Sequence, residues 1–121
     1  MFQFNHFNFN VLNLEKSLEF YKEALGLDVV REKDASDGSF KIVYLGDGSS
    51  DFLLELTWMR DQKEPYNLGD EEFHLALTAD DFDQSTRDSM RKWGVFVLRI
   101  MIWGFILLMI QMDIGLRSSC E

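Results

Sequence analysis

Cysteine occurs once in the 121 residues, at Cys120, and proline once, at Pro65. A single cysteine excludes an internal disulfide framework and a cysteine-rich zinc module. Histidine is nearly as scarce, with only His6 and His74. Basic residues are outnumbered, 12 Lys and Arg against 21 Asp and Glu for a net charge of −9, which argues against nucleic acid as a partner. A basic stretch leading into an apolar one is missing from the N-terminus, so no signal peptide is read and a cytoplasmic location is expected. What is present suffices for one domain with a real core: 46% hydrophobic and 27% charged residues over a length that buries roughly two-thirds of its unfolded surface.

The charge is unevenly spread. Residues 1–92 carry 19 acidic and 10 basic side chains, whereas 93–121 carry two of each: Asp113, Glu121, Arg99 and Arg117. The first segment reads as an ordinary soluble protein, and the second as a mostly apolar tail.

Residues 2–11 alternate, with Phe7, Phe9 and Val11 on one face and His6, Asn8 and Asn10 on the other, the pattern of a half-buried strand. Asn13 stands where an N-cap belongs, Leu14, Leu18, Tyr21 and Leu25 follow at helical spacing, and Gly26 occupies the C-cap position. Three β-type runs follow, Leu27–Arg31, Phe40–Leu45 and Phe52–Trp58, separated by Asp37-Gly38 and Gly46-Asp47-Gly48 turn chemistry. Residues 59–70 read as a polar linker. A strand over Glu72–Ala79 and a helix from about Asp81 to Trp93 then restart the pattern, so an internal repeat of about 60 residues is expected.

Both histidines fall on strands. His74 shares a face with Ala76 and Thr78, opposite Phe73, Leu75 and Leu77; Glu55 projects opposite Leu54, Leu56 and Trp58. Three strands thus place His6, Glu55 and His74 away from the helix-packing side. Two imidazoles and a carboxylate on a concave sheet suit a divalent metal with open coordination positions. The alternative on spacing alone is a pair of hydrogen-bonded structural histidines and an edge carboxylate.

The segments His6, Ser17-Leu-Glu-Phe-Tyr21, Leu25-Gly26, Leu54-Glu55-Leu56-Thr57, Tyr66-Asn-Leu-Gly69 and Phe73-His74-Leu-Ala-Leu77, in this order and at these spacings, resemble the glyoxalase I (lactoylglutathione lyase) family of the vicinal-oxygen-chelate superfamily. The likeness runs from residue 4 to about residue 83. It implies an α+β fold of paired βαβββ modules, with 1–58 as the first, 59–70 as linker and 71–121 as the second. It further implies His6, Glu55 and His74 as ligands of a divalent metal, nickel or zinc, with a glutamate from the last strand as fourth ligand. Glu55 takes the catalytic role of a ligand carboxylate that moves a proton between adjacent carbons. The implied substrate is a 2-oxoaldehyde–thiol hemithioacetal, the implied assembly a homodimer, and no membrane is involved. Other chemistries of the superfamily (ring-cleaving dioxygenase, thiol-transfer resistance protein, epimerase) and non-catalytic metal or ligand binding are the alternatives.

Two departures stand out. Asn10 occupies the position where glyoxalases often carry an arginine for glutathione's carboxylate, and an amide cannot replace a guanidinium fork. The family's Asp-Pro-Asp-Gly-Tyr-x-x-Glu ending is also missing. The run Val95–Ile110 is too short at sixteen residues, and interrupted by Arg99, to match the roughly 20 apolar residues of a membrane span. It lacks the alternation of half-buried strands. A shifted reading frame explains it. Codons formed from the last base of one codon and the first two of the next must give Gly at Trp93–Gly94, Asp at Met101–Ile102, Gly at Trp103–Gly104, Asp at Met109–Ile110 and Gly at Met112–Asp113. Allowed codons elsewhere complete the family ending, with its Glu at the Leu116–Arg117 junction. On this reading the frame changes near Asp83–Arg87, the second module is damaged after about residue 85, and the fourth ligand is lost.

Overall fold

Alternation and capping produce the expected elements. In the computed structural model, which describes residues 1–70, 74–79, 84–92, 97–102 and 105–111, β1 (His6–Val11) leads into α1 (Leu14–Leu25). The Asn13 side chain accepts the Lys16 backbone N–H at 3.1 Å. Gly26, at φ +68°, ends the helix in a left-handed turn, with Gly26 N–H donating to Lys22 and Leu27 N–H to Tyr21, the Gly26 bond being that of an αL cap. Strands β2 (Asp28–Asp34), β3 (Phe40–Gly46) and β4 (Leu53–Met59) follow. Met1–Tyr66 forms one compact unit and the described residues from Asn67 to Gln111 belong to another.

The first unit is a βαβββ module with strand order β1-β4-β3-β2. β4 lies between β1, parallel to it, and β3, antiparallel; the parallel pairing is bridged by the α1–β2–β3 crossover that such a pair requires. β2 is exposed throughout, and the charges of Arg31, Glu32, Lys33 and Asp34 guard it against edge pairing. The core joins Val11, Phe20, Tyr21, Ala24 and Leu27 to Val43, Leu45, Leu54 and Leu56.

The helix stripe differs from the expected one. Ser17, Phe20, Tyr21 and Ala24 are buried, whereas Leu14, Leu18 and Leu25 are only half-buried. At 100° per residue this rotates the buried stripe by roughly 80°. Leu14 and Leu18 instead line a cleft of about 690 Å³ with Leu12, Trp58 and Pro65. Tyr21 lies on both stripes and meets Phe9 with ring centroids 6.1 Å apart. Along β1, Phe7 is 45% exposed, Phe9 half-buried and Val11 buried, so cover increases toward the helix start.

The second unit contains β5 (His74–Ala79), α2 (Gln84–Lys92), β6 (Val97–Ile102) and β7 (Phe105–Gln111). In β5, Leu75 and Leu77 are half-buried while Ala76 and Thr78 are exposed, as the alternation predicts. The tail departs from expectation, because residues 97–102 and 105–111 form strands in a sheet of order β5-β7-β6, both pairings antiparallel. Runs of Val, Ile, Leu and Phe favour extended backbone whether or not they alternate. Among the described residues this unit has one strand fewer than the first, and β7 therefore meets β5 antiparallel where β4 meets β1 parallel. Residues 81–83 and 93 of the expected second helix, and Glu121, lie outside the described residues. No described helix is long and apolar enough to cross a membrane.

Candidate metal centre

Strand register places the site. Glu55 is the Cα partner of Asn8 on one side and of Tyr44 on the other, and period-two alternation sends all three away from the Leu54 and Leu56 face that packs in the core. His6 belongs to the same face of β1. The residue Glu55 is 9% exposed, and a carboxylate so placed requires partners.

His6 Nε2 lies 3.3 Å from Glu55 Oε2. The other ring nitrogen, Nδ1, is 2.6 Å from Asn5 Oδ1, an acceptor, so Nδ1 is the nitrogen that donates there. Nε2 is thereby left facing the Glu55 carboxylate, and imidazole nitrogen and carboxylate oxygen are both ligand atoms for a divalent cation. A separation of 3.3 Å would let both atoms reach one ion at bonds of about 2.1 Å. The two residues therefore fit a divalent metal, and the Asn5 contact is the outer hydrogen bond that orients a ligating histidine.

Neighbouring groups surround the pair. Asn8 Nδ2 donates to Glu55 Oε1 and to Thr57 Oγ1, both at 2.6 Å. The Tyr44 ring meets His6 edge-on at 5.6 Å, and the Arg31 guanidinium sits 4.2 Å above the Tyr44 ring centre, a cation–π contact. Glu55, as acceptor beside the phenol, holds Tyr44 above its ordinary pKa, with desolvation adding to the effect and Arg31 opposing it. Tyr44 thus stays a protonated donor beside the carboxylate.

Of the three expected ligands, the structure brings His6 and Glu55 together. His74 is the first residue of β5 in the other unit, and its side chain lies outside the described residues. Among the described residues no group of three or more His, Cys, Asp or Glu side chains could hold a metal. Asn10, the position lacking arginine, is exposed. Asn8 and Tyr44 were not singled out by the sequence reading. Asn8 shares the strand parity of His6, a signal available in advance, whereas pairing of Tyr44 with Glu55 depends on the sheet register.

This fold and site define the class. The chain belongs to the Glyoxalase/Bleomycin resistance protein/Dioxygenase superfamily, whose family model matches residues 3–104. Among curated relatives it is 38% identical over 98 residues to a probable lactoylglutathione lyase of Synechocystis, covering 78% of this chain and 72% of that protein. It is 37% identical over 91 residues to the lactoylglutathione lyase of Neisseria meningitidis, covering 74% of this chain and 65% of the relative, so it matches about two-thirds of that protein's length. Among solved structures, the trypanothione-dependent glyoxalase I of Leishmania major superposes with a TM-score of 0.70 at 28% identity, over 93% of this chain and 81% of that one.

Proposed function

We propose that the chain derives from a metal-dependent lactoylglutathione lyase that isomerises a 2-oxoaldehyde–thiol hemithioacetal, with His6, Glu55 and His74 as metal ligands. The observation that carries this reading is His6 Nε2 facing Glu55 Oε2 at 3.3 Å, with Nδ1 engaged by Asn5. A divalent ion, nickel or zinc, would polarise adjacent substrate oxygens and acidify the C–H between them. Glu55 and the fourth, glutamate ligand would be the carboxylates that move the proton from one carbon to the next. The Nδ1–H bond to Asn5 orients the His6 ring, and the protonated Tyr44 keeps a donor beside Glu55. Asn10 in place of arginine favours a thiol other than glutathione.

The parent enzyme is a homodimer on this proposal, and the apolar tail is the product of the frame change near Asp83–Arg87. The chain as written lacks the fourth, glutamate ligand, and loss of one general base costs about 10²–10⁴-fold. The test is nickel and zinc binding by titration calorimetry, with turnover of methylglyoxal–thiol hemithioacetals, on this chain beside a frame-restored one. The expected result is metal binding by both and turnover at least 10²-fold slower by the chain as written. Equal rates would remove the functional meaning of the frame change, and a restored chain that neither binds metal nor turns over would refute the lyase reading. Resequencing the coding DNA across codons 80–95 tests the frame change directly.

A further inference from the structure

We infer that Asn8 is the positioning residue that holds Glu55 for metal binding, with Thr57 as the second arm of the clamp. The inference rests on the metal-site reading above and extends it to a side chain that no resemblance assigned.

Glutamate has three side-chain torsions, so a carboxylate on a strand does not face a given neighbour unless something selects its rotamer. Here the selection comes from the adjacent strand. Asn8 is the direct register partner of Glu55, and its Nδ2 reaches Oε1 at 2.6 Å and Thr57 Oγ1 at 2.6 Å. A carboxylate only accepts hydrogen bonds, so the amide must turn its NH₂ rather than its oxygen toward Glu55. One amide hydrogen then serves Oε1 and the other serves Thr57, which sits two residues beyond Glu55 on the same face of β4. With Oε1 held, the other oxygen, Oε2, is the one left toward His6.

The two carboxylate oxygens thereby acquire different tasks. Oε1 is bound to Asn8, and Oε2 is left toward His6 to ligate. A merely structural role for Asn8 would be to satisfy a buried charge; a positioning role predicts in addition that metal geometry changes when the amide is removed. Losses of such outer hydrogen bonds weaken metal binding by about 10–100-fold.

The experiment uses the full chain and cobalt(II) as probe, because its visible absorption reports ligand geometry. Asn8→Leu keeps the branched heavy-atom shape of the side chain without the donors, and Thr57→Val removes only the outer arm. The expected result is cobalt affinity lowered about 10–100-fold and an altered visible spectrum in Asn8→Leu, with a smaller loss of the same kind in Thr57→Val, each compared after metal-free unfolding midpoints are measured. Wild-type affinity and spectrum in Asn8→Leu would overturn the positioning role. A second measurement needs no metal: the Asn8 side-chain NH₂ resonances of the metal-free protein should shift in both Glu55→Leu and Thr57→Val. If neither substitution moves them, the clamp does not exist. Failure of the wild-type chain to bind cobalt, with those shifts present, would refute the metal-site reading and reduce Asn8 to a structural partner.

Discussion

Replacing Phe20 and Leu18 separately by alanine distinguishes the two neighbouring stripes of α1. Phe20 is 0% exposed and stacks edge-on against Tyr21 at 4.9 Å; removing a fully buried phenylalanine costs about 3–5 kcal/mol, transfer and cavity terms together. Leu18 is half-buried and borders the cleft beside α1, so water reaches part of its surface already and the remaining space can relax. Its replacement should cost about 1 kcal/mol, below the 2–5 kcal/mol of a fully buried Leu→Ala change. Since about 1.4 kcal/mol is a factor of ten in an equilibrium constant, Phe20→Ala lowers the folded-to-unfolded ratio of the first unit by about 10² or more, and Leu18→Ala by less than tenfold. Amide exchange of Phe40–Gly46, the strand behind the core, reads this unit by itself along a urea titration. A Leu18→Ala loss equal to or larger than that of Phe20→Ala would show that the leucine stripe, not the Phe20 stripe, is the packed face.

Further outcomes follow from the caps and one loop. Asn13→Ala removes the acceptor for the Lys16 N–H and should cost about 0.5–2 kcal/mol, read as a lower urea midpoint with an unchanged slope. Gly26→Ala meets no atom within 4 Å but must hold φ +68°, so it should cost about 1–2 kcal/mol through backbone strain alone; no loss would mean that the cap relaxes. Asp47 accepts the Ser49 and Ser50 backbone N–H groups at 2.9 and 2.8 Å, the Ser50 bond first among the causes that lower its pKa. A folded pKa below the unfolded one means stability that is present above about pH 3.9 and lost as pH falls through the lowered folded value. Asp47→Ala should therefore flatten that acid limb of an unfolding-midpoint profile, and an unchanged limb would assign the pH dependence to other carboxylates.

Much of the first unit was legible in advance because its signals are local. The Asn13 and Gly26 caps, the alternation of β1 and the Asp37-Gly38 and Gly46-Asp47-Gly48 turns each act within a few residues. Strand parity alone also put His6 and Glu55 on the polar side of their strands, and the structure finds them 3.3 Å apart. The tail was less legible. A strand expected to alternate was the wrong template for residues 97–111, since side chains that are apolar on both faces carry no period-two signal.

What the amino-acid order determined by itself was therefore the sequence of elements, their caps and the parity of each strand, all set by backbone sterics and short-range hydrogen bonding. Tertiary structure decided the rest. It chose the Phe20 stripe over the leucines of α1, because a helix buries the side that meets the sheet rather than its most leucine-rich side. It also brought Asn8 to Glu55 across 47 positions of sequence, because β1 and β4 pair in parallel although the whole α1–β2–β3 crossover separates them along the chain.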